Sequence, residues 1–150
     1  MPNTASITAA IAGLTVSGVT FKDVSGIPKF VKDTDCPIFF PDPSDWFSSM
    51  KSAQTLNSPT NQTDVTRTMK YIYLHSVSIA ANPLSTHYAG MAEKVDAIYS
   101  ALDSVVGGLF VVTGVTVSRF GEIEAPRQGQ LRNVFFGCFF DIEIFETVNR

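Results

Sequence analysis

Cysteine, histidine and tryptophan are scarce in this chain: two, two and one among 150 residues. Cys36 and Cys138 lie far apart, with no Cys-x-x-Cys pair and no Cys/His cluster, which removes the usual zinc spacings and leaves two buried thiols or, as the alternative, a disulfide or redox pair. Each sits in an apolar, strand-like run, so the expectation is two buried free thiols in a reducing compartment. His75 falls inside a strand pattern and His87 at a helix start, and neither has a Ser, Cys or carboxylate at a catalytic spacing. Gly107-Gly108 lacks both the following lysine and the GxGxxG spacing of a phosphate-cradling loop. The residues therefore point to no enzyme, no cofactor and no metal.

Charge is also sparse. Charged residues make up 17% of the chain and the net charge is -3, so there is no general attraction to nucleic acid or to an anionic membrane. The first charged residue is Lys22, yet the preceding stretch has no basic start and is broken by Thr and Ser at nearly every third place. That excludes a signal-peptide core or a membrane span, and the expectation is an untargeted cytosolic protein. Without secretion the sequon Asn61-Gln62-Thr63 has no consequence.

Hydrophobic residues are plentiful, at 45%, with twelve phenylalanines. Length and composition describe one ordered domain, residues 1–150. Ile7, Ala10, Ile11 and Leu14 are spaced as one face of a short N-terminal helix, ended by Gly13 to Gly18. Val19 and Phe21 suggest a short strand, and Cys36-Pro37-Ile38-Phe39-Phe40 another, closed by Pro41 and Pro43. Residues 44–66 are rich in Ser, Thr, Asn and Gln and predict a long polar loop carrying the single tryptophan, Trp46, beside Phe47. Arg67 to Ala81 alternates as a strand. A strong amphipathic helix follows over about 86–105, with Tyr88, Met91, Ala92, Val95, Ile98, Tyr99, Leu102, Val105 and Val106 recurring at three and four. Leu109 to Phe120 alternates again, with Val111, Val115 and Val117 on one side and Phe110, Val112 and Phe120 on the other. Gly121 to Gln130 reads as a polar connection. The fold class is α+β: a mostly antiparallel sheet of about four strands, the long helix packed on it, and the short N-terminal helix.

The last strand, NVFFGCFFDIEIFE at residues 133–146, raises the main question. One face carries Val134, Phe136, Cys138, Phe140, Ile142 and Ile144, as burial against a core requires. The other carries Phe135, Phe139 and Phe145 beside Asp141 and Glu143, and a wet face has no use for three phenylalanines. Either another subunit covers them, or the strand is central and covered on both sides by its own chain. Asp141 and Glu143 are close enough to share a cation, but such a pair at a strand end ordinarily meets solvent.

In the order of its elements the chain resembles the tail-terminator (tail-completion) proteins of long-tailed bacteriophages, the lambda U-like family. The resemblance is carried by Cys36-Pro37-Ile38-Phe39-Phe40, Lys70-Tyr71-Ile72-Tyr73-Leu74, the helix from Met91 to Leu102, and Phe139-Phe140-Asp141-Ile142-Glu143-Ile144. The 44–66 stretch departs from it, being longer than a hairpin connection.

The resemblance implies a virion structural protein, assembled in the host cytoplasm, that forms a ring of six copies. Such a ring caps the tail tube, stops its growth and joins it to the head connector, while DNA passes through the channel without tight binding. Its partners are then other copies of itself, the tail-tube protein and the head-tail connector protein, with no membrane. Trp46, Phe47, Phe135, Phe139 and Phe145 become candidates for the oligomer or partner interface, and Glu122, Glu124 and Arg127 for a segment facing the lumen or the tube. The alternatives are a tail-tube or head-completion subunit of the same virion, or a small ligand-binding domain or enzyme.

Overall fold

The computed structural model describes residues 4–27, 31, 33–42, 47–54, 62–77, 84–103, 105, 110–124 and 134–149. Helix α1 spans Thr4–Ala12 and strand β1 Thr20–Phe21, followed by β2 (Ile38–Pro41), β3 (Phe47–Gln54) and β4 (Gln62–Val77). Helix α2 spans Leu84–Asp103, and the long strands β5 (Phe110–Glu124) and β6 (Val134–Asn149) complete the order. The architecture is α+β, with six strands among the described residues where about four were expected.

The strands form one mixed sheet in the order β1-β2-β4-β6-β5, with β3 also pairing β4. Only β1 and β2 run parallel. β4 and β6 form a long antiparallel ladder from Gln62↔Asn149 to Val77↔Phe135. The other edge of β4 is shared: β2 pairs Tyr71 to Leu74, and β3 pairs Thr63 to Met69.

The expected loop at 44–66 is corrected by that last pairing. Phe47–Gln54 and the start of β4 are strands of an antiparallel arm, in register from Ser49↔Thr68 to Gln54↔Thr63, with a shift of one residue before Phe47↔Met69. The Ser, Thr and Gln content of the stretch hid it, because a ladder is made by backbone groups and a polar strand shows no period of two. The expected connection at Gly121 to Gln130 is corrected in part as well. Gly121 to Glu124 belong to β5 and pair Gly137 to Val134; residues 125–130 lie outside the described residues.

Alternation gives the sheet two apolar faces. Met69, Tyr71 and Tyr73 of β4, Cys138, Phe140, Ile142 and Ile144 of β6, and Phe39 of β2 form the larger core. Both helices cover it: Ile7 and Ile11 from α1, and Val95, Ile98 and Leu102 from α2. Phe39 is its aromatic centre, stacked on Tyr71 at 4.8 Å between ring centres and edge-on to Phe140 at 5.2 Å. On the opposite face Ile38, Phe40, Ile72, Leu74, Ile123 and Phe135 form a smaller core, closed by Val31 with Ile27 and Cys36. The cover on that side is thus the segment between β1 and β2, and the short helix lies with the long one.

Three irregularities adjust this alternation. β4 is bulged between Leu74 and Ser76, and β5 between Val112 and Gly114 and again between Ser118 and Gly121. Each inserted residue re-phases the strand beyond it. Phe110, Val112, Val115, Val117 and Phe120, which simple alternation divides between two sides, therefore all pack on the helix-covered core.

Gly137 lies where bulges flank β6 on both sides. A Cβ there would come within 2.0 Å of the Tyr73 carbonyl oxygen and 3.2 Å of Leu74 Cδ2. The clash is with backbone at the centre of the sheet, so it is relieved only by parting β4 from β6. Gly137→Ala is expected to lower stability by at least about 2 kcal/mol, as overpacked sites do. Urea denaturation checks this: an unchanged midpoint would mean that the two strands are less closely apposed than described.

Candidate functional site

The candidate surface lies where α2 meets β5. Met91, Val95, Ile98 and Leu102 recur at intervals of four, three and four and are buried against the sheet. The helix face predicted to be apolar was wider, and the correction falls on its tyrosines. Tyr88 is 55% exposed and Tyr99 44%, the exposed large hydrophobic residues among those described. They are eleven residues apart, about three helical turns, and so occupy the same side of α2. Tyr88 leans edge-on against Phe120 of β5, with ring centres 5.3 Å apart. Val115 and Val117 of β5 are likewise only partly buried. Exposed tyrosines are what association surfaces use, because the ring buries apolar area while its hydroxyl stays hydrated.

β5 adds a backbone component. It ends the sheet, so among the described residues its outer edge has no strand beside it. An unpaired edge invites another chain, and bulges are one device that limits such pairing to a chosen register. At the second bulge Arg119 has φ +54°, a left-handed conformation uncommon for a residue with a side chain. Its guanidinium carbon stands 5.6 Å from the centre of the Phe139 ring.

The residues singled out from the sequence are dispersed. Phe135 is buried in the smaller core of its own chain, so the intramolecular explanation holds for it and its assignment to an interface is withdrawn. Phe139 is partly buried against the same core, with Arg119 over its ring. Phe145 is also partly buried, in register with Thr66 and Val111 on the face away from the helices. Near it Asp141 lies opposite Lys70, and Glu143 accepts a hydrogen bond from the Thr113 hydroxyl at 3.1 Å. Phe47 begins β3, while Trp46 and Arg127 lie outside the described residues. Glu122 and Glu124 are exposed near the end of β5. Tyr88 and Tyr99 were missed as surface residues because the three-and-four pattern includes them, and only the depth of the sheet beneath α2 decides how wide its buried stripe is.

Among the described residues no group of three or more His, Cys, Asp or Glu could hold a metal ion. Cys36 and Cys138 form no disulfide, and burial pushes the Cys138 thiol up to about 12, where it is no nucleophile at neutral pH. Tyr71 and Tyr73 are likewise raised by burial. The Asp23 carboxyl is lowered, chiefly by the Ser25 hydroxyl, which donates to it at 2.7 Å while the Ser25 and Gly26 amides also bond to it. That arrangement caps a single helical turn. No helix among the described residues is long and apolar enough to cross a membrane.

No protein-family model matches this chain, nor does any curated protein.

Arg119 offers a local test of the bulge. A left-handed residue with a Cβ is strained by about 1–2 kcal/mol, while a cation over an aromatic ring at an exposed site contributes about 0.5–1 kcal/mol. Arg119→Gly loses the contact but relieves the strain, and its stability should stay within about 1 kcal/mol of the parent chain. Arg119→Ala loses the contact and keeps the strain, so it should be the less stable variant. Thermal melts of the pair decide; Ala at or above Gly would remove the strained bulge.

Proposed function

We propose that this protein is a non-enzymatic virion subunit that closes into a ring and terminates a bacteriophage tail tube. The observation that carries the reading is the surface formed by Tyr88, Tyr99 and Phe120 beside the outer edge of β5, which has no strand next to it among the described residues. It is an apolar, partly aromatic contact area joined to a backbone edge, and it suits a protein whose work is association. The resemblance in element order to lambda U-like terminators supplies the kind of assembly: a closed ring, which a heterologous contact makes when its rotation closes and an open filament when it does not.

In that ring α2 and the edge of β5 meet a different surface of the neighbouring copy, six copies closing around a channel. Phe145 and Phe139, both only partly buried on the face away from the helices, are available for the second surface or for the tube below. Glu122 and Glu124, exposed near the end of β5, suit a lumen that DNA traverses without being held, since like charge repels phosphate. The partners are further copies of the chain, the tail-tube protein and the head-tail connector, and the setting is the virion tail, assembled in the host cytoplasm. A tail-tube or head-completion subunit is the neighbouring reading; a tube subunit grows filaments where a terminator stops at rings.

Mass in solution together with electron microscopy tests this. Closed rings are expected for the parent chain, and filaments would assign it to the tube. The double variant Tyr88→Ser, Tyr99→Ser should be monomeric with a nearly unchanged melting temperature, because exposed residues contribute little to the fold. A parent chain that stays monomeric at high concentration, with and without tail tubes, would defeat the proposal.

A further inference from the structure

At the seam between α2 and the sheet three basic side chains converge. His75 follows the buried part of β4, at its bulge, and the Tyr73 hydroxyl lies 2.8 Å from its Nδ1. His87, in the first turn of α2, stands edge-on to it with ring centres 5.8 Å apart, and packs on Phe136 of β6 at 5.4 Å. A Cβ on Gly90 would touch the Cε1 and Nε2 of His75 at 3.5 Å, so the His75 ring lies directly against the helix. Lys94, two turns along α2 from His87, donates from Nζ to the Ser17 carbonyl and adds its charge to the field at His75. Two buried polar atoms at this seam have no hydrogen-bond partner among the described residues: His87 Nε2 and Ser76 Oγ. Ser76 pairs with Phe136 and so faces the same side.

This donor set does not suit a metal ion, because it offers two imidazoles only and Lys94 repels a cation. It suits two neutral imidazoles. We propose that the His75–His87 pair is a pH-operated latch, which holds the N-terminal half of α2 on the sheet at neutral pH and releases it on acidification.

The electrostatics run one way. His75 is held below its ordinary value of 6.5, first by burial, then by His87 and Lys94. Protonating it places a second positive charge beside Lys94. From β4 the seam is faced also by Tyr73, raised by burial and therefore a neutral phenol. From β6 it is faced by Phe136 and the neutral Cys138 thiol. On β5, Glu122 lies opposite Phe136 and is exposed, and it is not among the groups acting on His75. Because the closed seam binds this proton less readily than the opened chain, closure is at full strength above about pH 6.5 and weakens as pH falls below it.

The latch does not depend on the proposed function and is tested on the isolated chain. Amide hydrogen exchange, corrected for intrinsic rates, is followed at pH 7.5 and pH 5.0. Protection of residues 87–95 should fall several-fold at the lower pH, while amides in the β4–β6 ladder keep theirs. His75→Gln with His87→Gln should remove the pH dependence at 87–95. An equal loss of protection in that variant, or a loss spread evenly over the whole sheet, would overturn the latch. A titration of the histidine ring protons in the unaltered chain provides a check that needs no variant: His75 must titrate below 6.5, and a midpoint at or above it overturns the proposal as surely.

Discussion

The antiparallel ladder between β4 and β6 is the constraint on which the rest of this structure depends. It joins Gln62–Val77 to Val134–Asn149, two strands separated by a helix and another strand in sequence, so the fold forms only when these distant segments meet. Its register assigns Met69, Tyr71 and Tyr73 to the side of Cys138, Phe140 and Ile142, and Ile72 and Leu74 to the side of Phe135 and Phe139. A slip of one residue would exchange the faces of one strand and put its apolar side chains opposite the wrong set. A buried ion pair reinforces that register. Arg67 Nε and Nη2 donate to Glu146 Oε1 at 2.8 and 2.7 Å, both side chains being almost wholly buried. Such a pair adds little net stability over apolar residues of the same shape, but parting it leaves a charge in the core at a cost of about 3–5 kcal/mol. It therefore selects against other registers more than it strengthens this one.

From the ladder the remaining asymmetry follows. Both helices gather on the larger core, and among the described residues the opposite face is covered at the end where Ile27, Val31 and Cys36 reach across it. The other end, with Lys70, Asp141 and Glu143, stays polar. The phenylalanines of β6 grade along the same axis: Phe135 is enclosed, Phe139 half enclosed, and Phe145 half exposed where the cover has ended. Most of the apparent excess of phenylalanine is thus used within the chain. The most exposed large hydrophobic side chains among the described residues lie elsewhere, on the outer side of α2 beside β5, where Tyr88 meets Phe120. The same helix carries the seam residues His87 and Lys94 on its inner side, so the attachment of α2 to the sheet and the presentation of Tyr88 are properties of one element.

By itself the sequence determined the class of the fold, the two helices and the long strands, because burial on one side of an element imposes a period that survives in the residue order. The inward sides of β4 and β6 were readable for that reason, and α2 was placed to within two residues at either end. It could not reveal β3, whose polar residues show no period of two and which pairs β4 through its backbone, nor the phase of β5, since a bulge leaves no period to read and turns Phe110, Val112, Val115 and Val117 to one side. Which faces are covered, and by what, was decided only in three dimensions. Phe135 and Tyr99 look alike as apolar members of their patterns, yet one is enclosed by a segment about a hundred residues earlier and the other reaches past the edge of the core. His75 and His87, unremarkable on a strand and a helix, become neighbours because α2 folds back over the end of β4. Contacts of that kind depend on the distance between surfaces, and residue order carries no record of it.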